Sequence, residues 1–229
     1  GGGQNIYNFA YYGLLSPIIL ISYFLPFVPM ATYISVSSII MIVVSVCLCY
    51  KWIYANDFSR KVSIVAALCF ICAGPVIFQF HRQVMFVDYF PFLFIGLMGV
   101  DYYFKTHKDW MVVIGIFLCI MTSYFFSVGC ILTLVLYAIF VDLKRKPNCK
   151  VKELFQDMIP VVKGIFIGIL MSAVLWLPTI FVIISQRGGD AAISWQSLII
   201  PTLPIKGLLF SSYNLGLTEI SLIGLIWAM

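Results

Sequence analysis

Charged side chains are scarce in this sequence. Only 10% of its 229 residues are Asp, Glu, Lys or Arg, whereas 62% are hydrophobic and the mean hydropathy is +1.06. A soluble globular domain has about 25% charged and about 45–50% apolar residues, so this chain has too few polar side chains to cover a surface in water. The composition excludes soluble enzymes, nucleic-acid-binding domains and disordered tails, and it predicts an integral membrane protein surrounded by lipid bilayer.

The motifs of common soluble catalysts are also missing. The sequence has no Gly-x-x-x-x-Gly-Lys phosphate loop, no His-Glu-x-x-His zinc motif and no Gly-x-Ser-x-Gly nucleophile elbow. It has only two histidines, His81 and His107, which is too few for a histidine-rich metal site. These absences exclude an ATP-driven motor within this chain and a zinc hydrolase of the usual type.

Long apolar stretches are abundant. A helix that crosses the hydrocarbon core, about 30 Å thick, needs about 20 apolar residues. The apolar stretches predict spans at 30–50, 62–80, 86–104, 110–122, 124–141, 158–184 and 218–229. Because the first residue is not Met and the last stretch stops in mid-run at Met229, we expect residues 1–229 to be a fragment that forms a single transmembrane domain.

The basic residues predict which helix ends are cytoplasmic. Ten of the 14 Lys and Arg residues fall in three clusters, at 51–61, 105–108 and 144–152. Such residues concentrate in cytoplasmic loops, so we expect all three clusters on the cytoplasmic side. The stretch 110–141 lies between two of the clusters and must therefore cross twice. A break near Thr122-Ser123-Tyr124 or near Gly129 would allow this, and we predict the break near Ser123.

An apolar piece at 12–28 does not fit a full span. The helix at 30–50 must begin outside to end at Lys51, so the preceding piece should begin and end outside as well. Prolines that would interrupt a spanning helix are Pro17, Pro26 and Pro29. We predict a re-entrant or interfacial segment, because non-helical backbone at membrane depth must be buried in protein.

The polar residues of greatest interest lie on the predicted outer side. Asp88 begins the helix at 86–104, and an ionisable side chain at membrane depth is costly, which makes it a candidate functional residue. The alternative is a helix-start carboxylate that the helix dipole stabilises and that pairs with Arg82. Asp101 lies four residues before Lys105, which predicts an ion pair at the cytoplasmic interface.

The first residues are rich in glycine, amide and aromatic side chains. Such an external segment can hold a sugar or phosphate through backbone N–H groups and ring faces. The alternative is a surface loop that carries part of an interfacial aromatic belt.

Three groups of residues resemble motifs of the bacterial YfhO family. They are Gly1-Gly2-Gly3-Gln4-Asn5 with Tyr11-Tyr12 and Ser16-Pro17, then His81-Arg82 with Met85-Phe86-Val87-Asp88-Tyr89 and Pro91, then Thr122-Ser123-Tyr124-Phe125-Phe126. The order and approximate spacing also match, over essentially the whole sequence. The resemblance implies an all-α integral membrane protein, a polytopic GT-C-like helical bundle with short or broken helices and a re-entrant external segment.

The resemblance further implies a GT-C type membrane glycosyltransferase of the bacterial plasma membrane. Such an enzyme takes a sugar from a polyprenyl-phosphate carrier and transfers it, on the extracellular face, to an envelope glycopolymer such as teichoic acid, or to a lipid. An acceptor hydroxyl attacks the anomeric carbon while a carboxylate accepts its proton. Arg or a divalent cation offsets the charge that grows on the departing phosphate.

Residue roles follow from the same resemblance. Asp88 becomes the candidate acid or base, or a ligand of a divalent cation such as Mg²⁺ or Mn²⁺. Candidate substrate-binding residues are Arg82 and Arg187 for the phosphate, with His81, Asn5, Tyr11, Tyr12 and Tyr124 along the sugar or lipid path. The family's main acidic residue is expected in an external loop upstream of Gly1.

Two other functions stay open at this point. A transporter or permease subunit also has broken helices, but it should place polar residues near the bilayer midplane. Here the middle parts of the predicted spans are nearly free of charge. A non-catalytic membrane scaffold is the other alternative, and a carboxylate and an arginine on converging external segments would argue against it.

Overall fold

The computed structural model describes residues 13–74, 76–77, 80, 84–147 and 151–187. Within these ranges the chain forms eight α-helices, with 3-10 turns at Ser22–Phe24 and Val84–Val87, and no strand. In chain order the helices are α1 Pro17–Ile21, α2 Met30–Ala55, α3 Arg60–Ile71, α4 Phe90–Thr106, α5 Trp110–Thr122, α6 Tyr124–Arg145, α7 Val151–Met171 and α8 Ala173–Arg187. The predicted all-α class is confirmed.

Three helices among the described residues, α2, α6 and α7, are long and apolar enough to cross a membrane. They expose large apolar side chains that a soluble protein would bury, including Ile40, Val128, Leu132, Phe166 and Leu170. Exposed apolar faces of this extent are stable only against lipid or another protein surface. The length and the surface of these helices therefore agree with a membrane protein.

Helices α4 and α5 form the centre of the bundle and run antiparallel. Their backbones touch at two glycines, since a Cβ atom added to Gly115 would lie 2.7 Å from the Cα atom of Gly96. One turn away, a Cβ atom added to Gly99 would lie 2.7 Å from the backbone nitrogen of Val112. Small residues at such positions let helices approach closely in a membrane, where van der Waals packing drives helix association.

This contact makes a prediction about stability. Gly115→Ala should lower the free energy of unfolding by about 1–3 kcal/mol, because α4 and α5 must separate to admit the methyl group. Gly129→Ala on α6 is the matched control, since nothing lies within 4 Å of a Cβ atom placed there. The control should be neutral or should stabilise by up to about 1 kcal/mol. Thermal unfolding of both variants in detergent checks this, and equal melting temperatures would contradict the close contact.

The other helices surround this pair. Helix α2 packs on α4, α3 packs on α2, and α7 packs on α5, where a Cβ atom added to Gly168 would lie 2.9 Å from the Cβ atom of Ile116. Helix α6 runs parallel to α4 and contacts both α5 and α7. An ion pair between Lys146 and Asp157 joins the end of α6 to α7, and the hydrogen bond from its ammonium raises the pKa of Lys146.

The boundary between α5 and α6 lies at Ser123, the position that the charge pattern predicts. Ser123 has extended backbone angles, φ −154° and ψ 97°, and α6 then runs antiparallel to α5. Few backbone bonds are lost at the break, because Ser123 N still donates to Cys119 O and Ser123 O accepts from Ser127 N. That both helices cross the membrane stays a prediction.

Two predicted continuous helices are interrupted. The stretch 62–80 is not one continuous helix: α3 ends at Ile71, where Cys72 N and Ala73 N complete the last turn, and helical residues resume at Gly74 and at 76–77. Pro75 follows in the sequence, and proline has no N–H to donate to the carbonyl four residues earlier, which favours an interruption at this point. That the stretch 62–80 crosses the membrane stays a prediction.

The stretch 158–184 divides at Ser172. In a continuous helix the Ile169 carbonyl would accept from Ala173 N. Here it accepts from Ser172 N at 3.1 Å and from Ser172 Oγ and Trp176 Nε1, both at 2.8 Å. These donors take the place of Ala173 N where α7 ends, at Met171. Helix α7 also begins earlier than predicted, at Val151.

Residues 13–28 contain only α1 and the 3-10 turn, so nothing among them is long enough to span. The hydroxyl of Tyr33 on α2 donates to the Ile18 carbonyl at 2.6 Å and holds this segment against α2. Tyr23 and Phe24 are 78% and 82% exposed. A short, aromatic and exposed segment of this kind is typical of the membrane interface.

Candidate functional site

Asp88 lies in the turn between the 3-10 helix Val84–Val87 and α4. It is only 5% exposed, and its Oδ2 atom accepts a hydrogen bond of 3.1 Å from Ser38 Oγ on α2. Its Oδ1 atom is buried and has no hydrogen-bond partner among the described residues. A buried polar atom without a partner is destabilising, so this oxygen is positioned for a group that the described residues do not supply.

Apolar packing fixes the turn that carries Asp88. Val87 is fully buried and packs with Ile42 and Val76, while Pro91 sits in the first turn of α4, where its missing N–H is not needed. Buried apolar side chains therefore pack against the turn that carries Asp88, and Ser38 donates a hydrogen bond to its carboxylate.

Two of the family-like motifs meet at this turn. The Phe126 ring stacks on the Tyr89 ring with centroids 5.3 Å apart, and it contacts the Phe86 ring edge-on at 5.5 Å. Phe126 lies in the first turn of α6, directly after the break at Ser123. The break therefore places the third motif against the residues that flank Asp88.

The described part of the first motif reaches the same end of the bundle. Gly13 has φ +78°, a conformation that favours glycine, and a Cβ atom there would lie 3.1 Å from the Thr122 carbonyl oxygen. Ser16 is buried, and Leu15 packs in an apolar cluster that includes Tyr124. The three groups of residues that carry the family resemblance thus converge at one end, as far as the structure describes them.

Tyr124 is half-buried at the first position of α6. It packs against Met121 at the end of α5 and Leu175 in α8. The buried Thr122 Oγ1 atom nearby has no hydrogen-bond partner among the described residues. Tyr124 therefore belongs to this end of the bundle, and its predicted contact with a substrate stays a prediction.

Most other predicted site residues lie outside the described residues. These are Arg82, His81, Asn5, Tyr11 and Tyr12, together with the side chain of Arg187, the last residue of α8. Within the described ranges, no group of three or more His, Cys, Asp or Glu side chains could hold a metal ion. Asp88 offers a single carboxylate, so the predicted Mg²⁺ or Mn²⁺ has no complete set of protein ligands among the described residues.

An apolar groove lies beside Asp88. It has a volume of about 400 Å³ and runs between the 18–28 segment and α2. Its walls are mainly aliphatic and include Ile21, Leu25, Val36, Ile40 and Met41. Tyr33 also lines it, and Ser37, another lining residue, precedes Ser38, which donates to Asp88. The groove and the partner of the buried carboxylate thus lie on the same part of α2.

Sequence reasoning missed a polar network at the opposite end. Asp101 does not form the predicted ion pair with Lys105 among the described residues. It accepts hydrogen bonds from Tyr137 OH at 2.7 Å, Asn56 Nδ2 at 3.0 Å and Trp52 Nε1 at 3.1 Å. The predicted pair considered only neighbours on one helix, whereas the actual partners come from α2 and α6.

Comparison with known proteins supports the family resemblance. A family model described as bacterial membrane protein YfhO matches residues 1–227, a range that includes all three groups of residues. No curated protein and no solved structure matches the chain.

Proposed function

Since the chain belongs to the YfhO family of bacterial membrane proteins, we propose that it is a GT-C type glycosyltransferase that acts at the Asp88 end of the bundle. The donor is a sugar carried on polyprenyl phosphate, and the acceptor is an envelope glycopolymer or a lipid. The observation that carries the proposal is the buried carboxylate of Asp88, with one oxygen held by Ser38 and the other unpartnered among the described residues.

In this proposal Asp88 is the general base. Its Oδ1 atom accepts the proton of the acceptor hydroxyl, whose oxygen forms a bond to the anomeric carbon as the bond to the phosphate oxygen breaks. Polyprenyl phosphate leaves with the electron pair of that bond. Arg82, six residues before Asp88 in the sequence, is the proposed cation that offsets the phosphate charge. Ser38 positions the carboxylate by occupying Oδ2.

The apolar groove between the 18–28 segment and α2 supports a lipid-linked donor. Its aliphatic walls match a polyprenyl chain, and it lies on the part of α2 that also carries Ser38, the partner of Asp88. A soluble nucleotide-sugar donor would need polar and charged walls instead. The groove therefore favours a donor that arrives within the membrane.

The distribution of charge supports an extracellular active face. The basic residues near the end of α2, the start of α3, the end of α4 and the end of α6 all lie at the end of the bundle opposite Asp88. If that end is cytoplasmic, as the excess of Lys and Arg indicates, Asp88 faces the outside. A transporter is less well supported, because the charged residues that the structure describes lie near the helix ends, apart from Lys163 in the middle of α7.

The proposed orientation, with the basic end of the bundle in the cytoplasm, predicts which positions can be labelled from outside the cell. In a cysteine-free background, Lys108→Cys should resist a membrane-impermeant maleimide in intact cells and react after permeabilisation. Tyr23→Cys, at the opposite end, should react in intact cells. Both native side chains are exposed, so burial does not limit the reaction. Reaction of Lys108→Cys from outside would reverse the orientation and place Asp88 in the cytoplasm.

The direct test of the proposed function is an assay with membranes that contain the full-length protein. A labelled polyprenyl-phosphate sugar is supplied, and transfer of the label to envelope polymer or lipid is measured. Transfer should depend on the protein and on the lipid carrier. Absence of transfer from any such donor, with protein present in the membranes, would contradict the proposal.

A further inference from the structure

A second cavity lies at the basic end of the bundle, far from Asp88. It has a volume of about 800 Å³ and is enclosed by the end of α2, the 56–58 turn, the end of α4 and the end of α6. Its inner wall is the polar network in which Trp52, Asn56 and Tyr137 donate to Asp101. The glycosyl transfer proposed at the other end makes no use of this cavity.

Three cations stand at the rim of this cavity. Lys105, Lys144 and Arg145 line it and are exposed. The Arg145 guanidinium carbon lies 5.1 Å from the centre of the Phe104 ring, a cation–π contact that holds this side chain at the rim. Two carboxylates also line the cavity, but the oxygens of Asp101 face three donors of the inner wall. The second lining carboxylate belongs to Asp57, which is exposed.

The other side of the cavity is apolar. Phe58 and Phe140 line it and are 51% and 61% exposed, and Val141 lines it as well. Phe140 belongs to α6, one of the helices long and apolar enough to cross the membrane. The cavity thus joins a lipid-facing aromatic surface to a cluster of cations at the helix ends. This arrangement matches an amphipathic anion rather than a soluble one.

We propose that this cavity binds one anionic phospholipid of the cytoplasmic leaflet. Its phosphodiester lies among Lys105, Lys144 and Arg145, and the upper parts of its acyl chains pack on Phe58 and Phe140. Basic pockets between helices on the cytoplasmic side are suited to such headgroups. An anionic headgroup is favoured over a zwitterionic one, because three lining cations face the one exposed carboxylate of Asp57, while the Asp101 oxygens already accept three hydrogen bonds.

The test is a titration of the purified full-length protein in detergent with phosphatidylglycerol, read by native mass spectrometry. The cavity variant combines Lys105→Gln, Lys144→Gln and Arg145→Gln. The matched control combines Arg60→Gln, Lys61→Gln and Lys108→Gln, which removes the same charge from exposed positions that do not line the cavity. Wild type and control should bind one phosphatidylglycerol equally, and the cavity variant should bind it about 100-fold more weakly, the scale for three interfacial cations.

Further arms separate the possible ligands. Phosphatidylcholine should bind more weakly than phosphatidylglycerol, and millimolar inorganic phosphate should not displace the lipid. A double variant, Lys105→Gln with Lys144→Gln, keeps the contact of Arg145 with Phe104. Its affinity for phosphatidylglycerol should lie between those of wild type and the triple variant, and it tests the proposal even if the triple variant folds poorly. Equal loss in the control, unchanged binding in the cavity variants, or displacement by inorganic phosphate would overturn the proposal.

Discussion

Asp88→Asn in the full-length protein should lower sugar transfer by about 100-fold or more while leaving the amount of folded protein in the membrane unchanged. The substitution keeps the size of the side chain and a partner for Ser38, but the amide cannot accept the proton of the acceptor hydroxyl. Loss of general acid–base catalysis has this magnitude. The measurement is transfer from a polyprenyl-phosphate sugar by membranes with matched protein content.

Two further variants distinguish a catalytic role of Asp88 from a structural one. Ser38→Ala removes only the hydrogen bond to Oδ2 and should lower transfer by about 5-fold, the effect of about 1 kcal/mol. Glu153→Gln neutralises an exposed carboxylate on α7 and should leave transfer unchanged. If Asp88 serves only to begin α4, Asp88→Asn should affect melting temperature and not transfer. Transfer near the wild-type rate would end the catalytic role of Asp88.

Asp101→Ala should lower the free energy of unfolding by about 2–4 kcal/mol. The substitution removes three hydrogen bonds that join α4 to α2 and α6. It leaves the Tyr137 hydroxyl without its acceptor, whereas Trp52 Nε1 still donates to Tyr137 OH and Asn56 Nδ2 to the Trp52 carbonyl. Hydrogen bonds between membrane helices contribute about 0.6 kcal/mol each on average, and unsatisfied buried donors add about 1–3 kcal/mol. Thermal or denaturant unfolding in a fixed detergent measures the loss.

Two further variants distinguish the network from the ion pair that the sequence predicts. Tyr137→Phe removes one hydrogen bond to Asp101 and should cost about 0.6–1 kcal/mol. Lys105→Ala removes the expected ionic partner and should change stability by less than about 0.5 kcal/mol, as surface substitutions usually do. A larger effect from Lys105→Ala than from Tyr137→Phe would favour the ion pair.

Much of the fold could be predicted because apolar stretches and basic clusters are patterns of neighbouring residues, which can be recognised in the sequence. The helical class followed from apolar stretches, and the break at Ser123 followed from the basic clusters on either side of residues 110–141. The break at Ser172 could not be found in this way, because it depends on which donor reaches the Ile169 carbonyl. Neither Ser172 nor Trp176 changes the hydropathy of the stretch enough to mark it.

The candidate site was only partly predictable for a related reason. Asp88 could be selected from its position alone, since a carboxylate at the end of an apolar stretch is unusual. Its partner Ser38 lies 50 positions away, and Asp101 meets Asn56 and Tyr137 at separations of 45 and 36. No local pattern encodes such pairings. They arise only when α2, α4 and α6 pack side by side.

The shortness of α5 affects the membrane itself. Its 13 residues extend about 20 Å, roughly 10 Å less than the hydrocarbon core, whereas the 26 residues of α2 extend about 39 Å. If α5 crosses the membrane, as the charge pattern predicts, the bilayer around the bundle thins locally or water enters above the short helix. Either deformation would bring headgroups down towards the turn at Ser123. A lipid phosphate would then travel a shorter distance through hydrocarbon to meet Asp88 than it would beside a full-length helix.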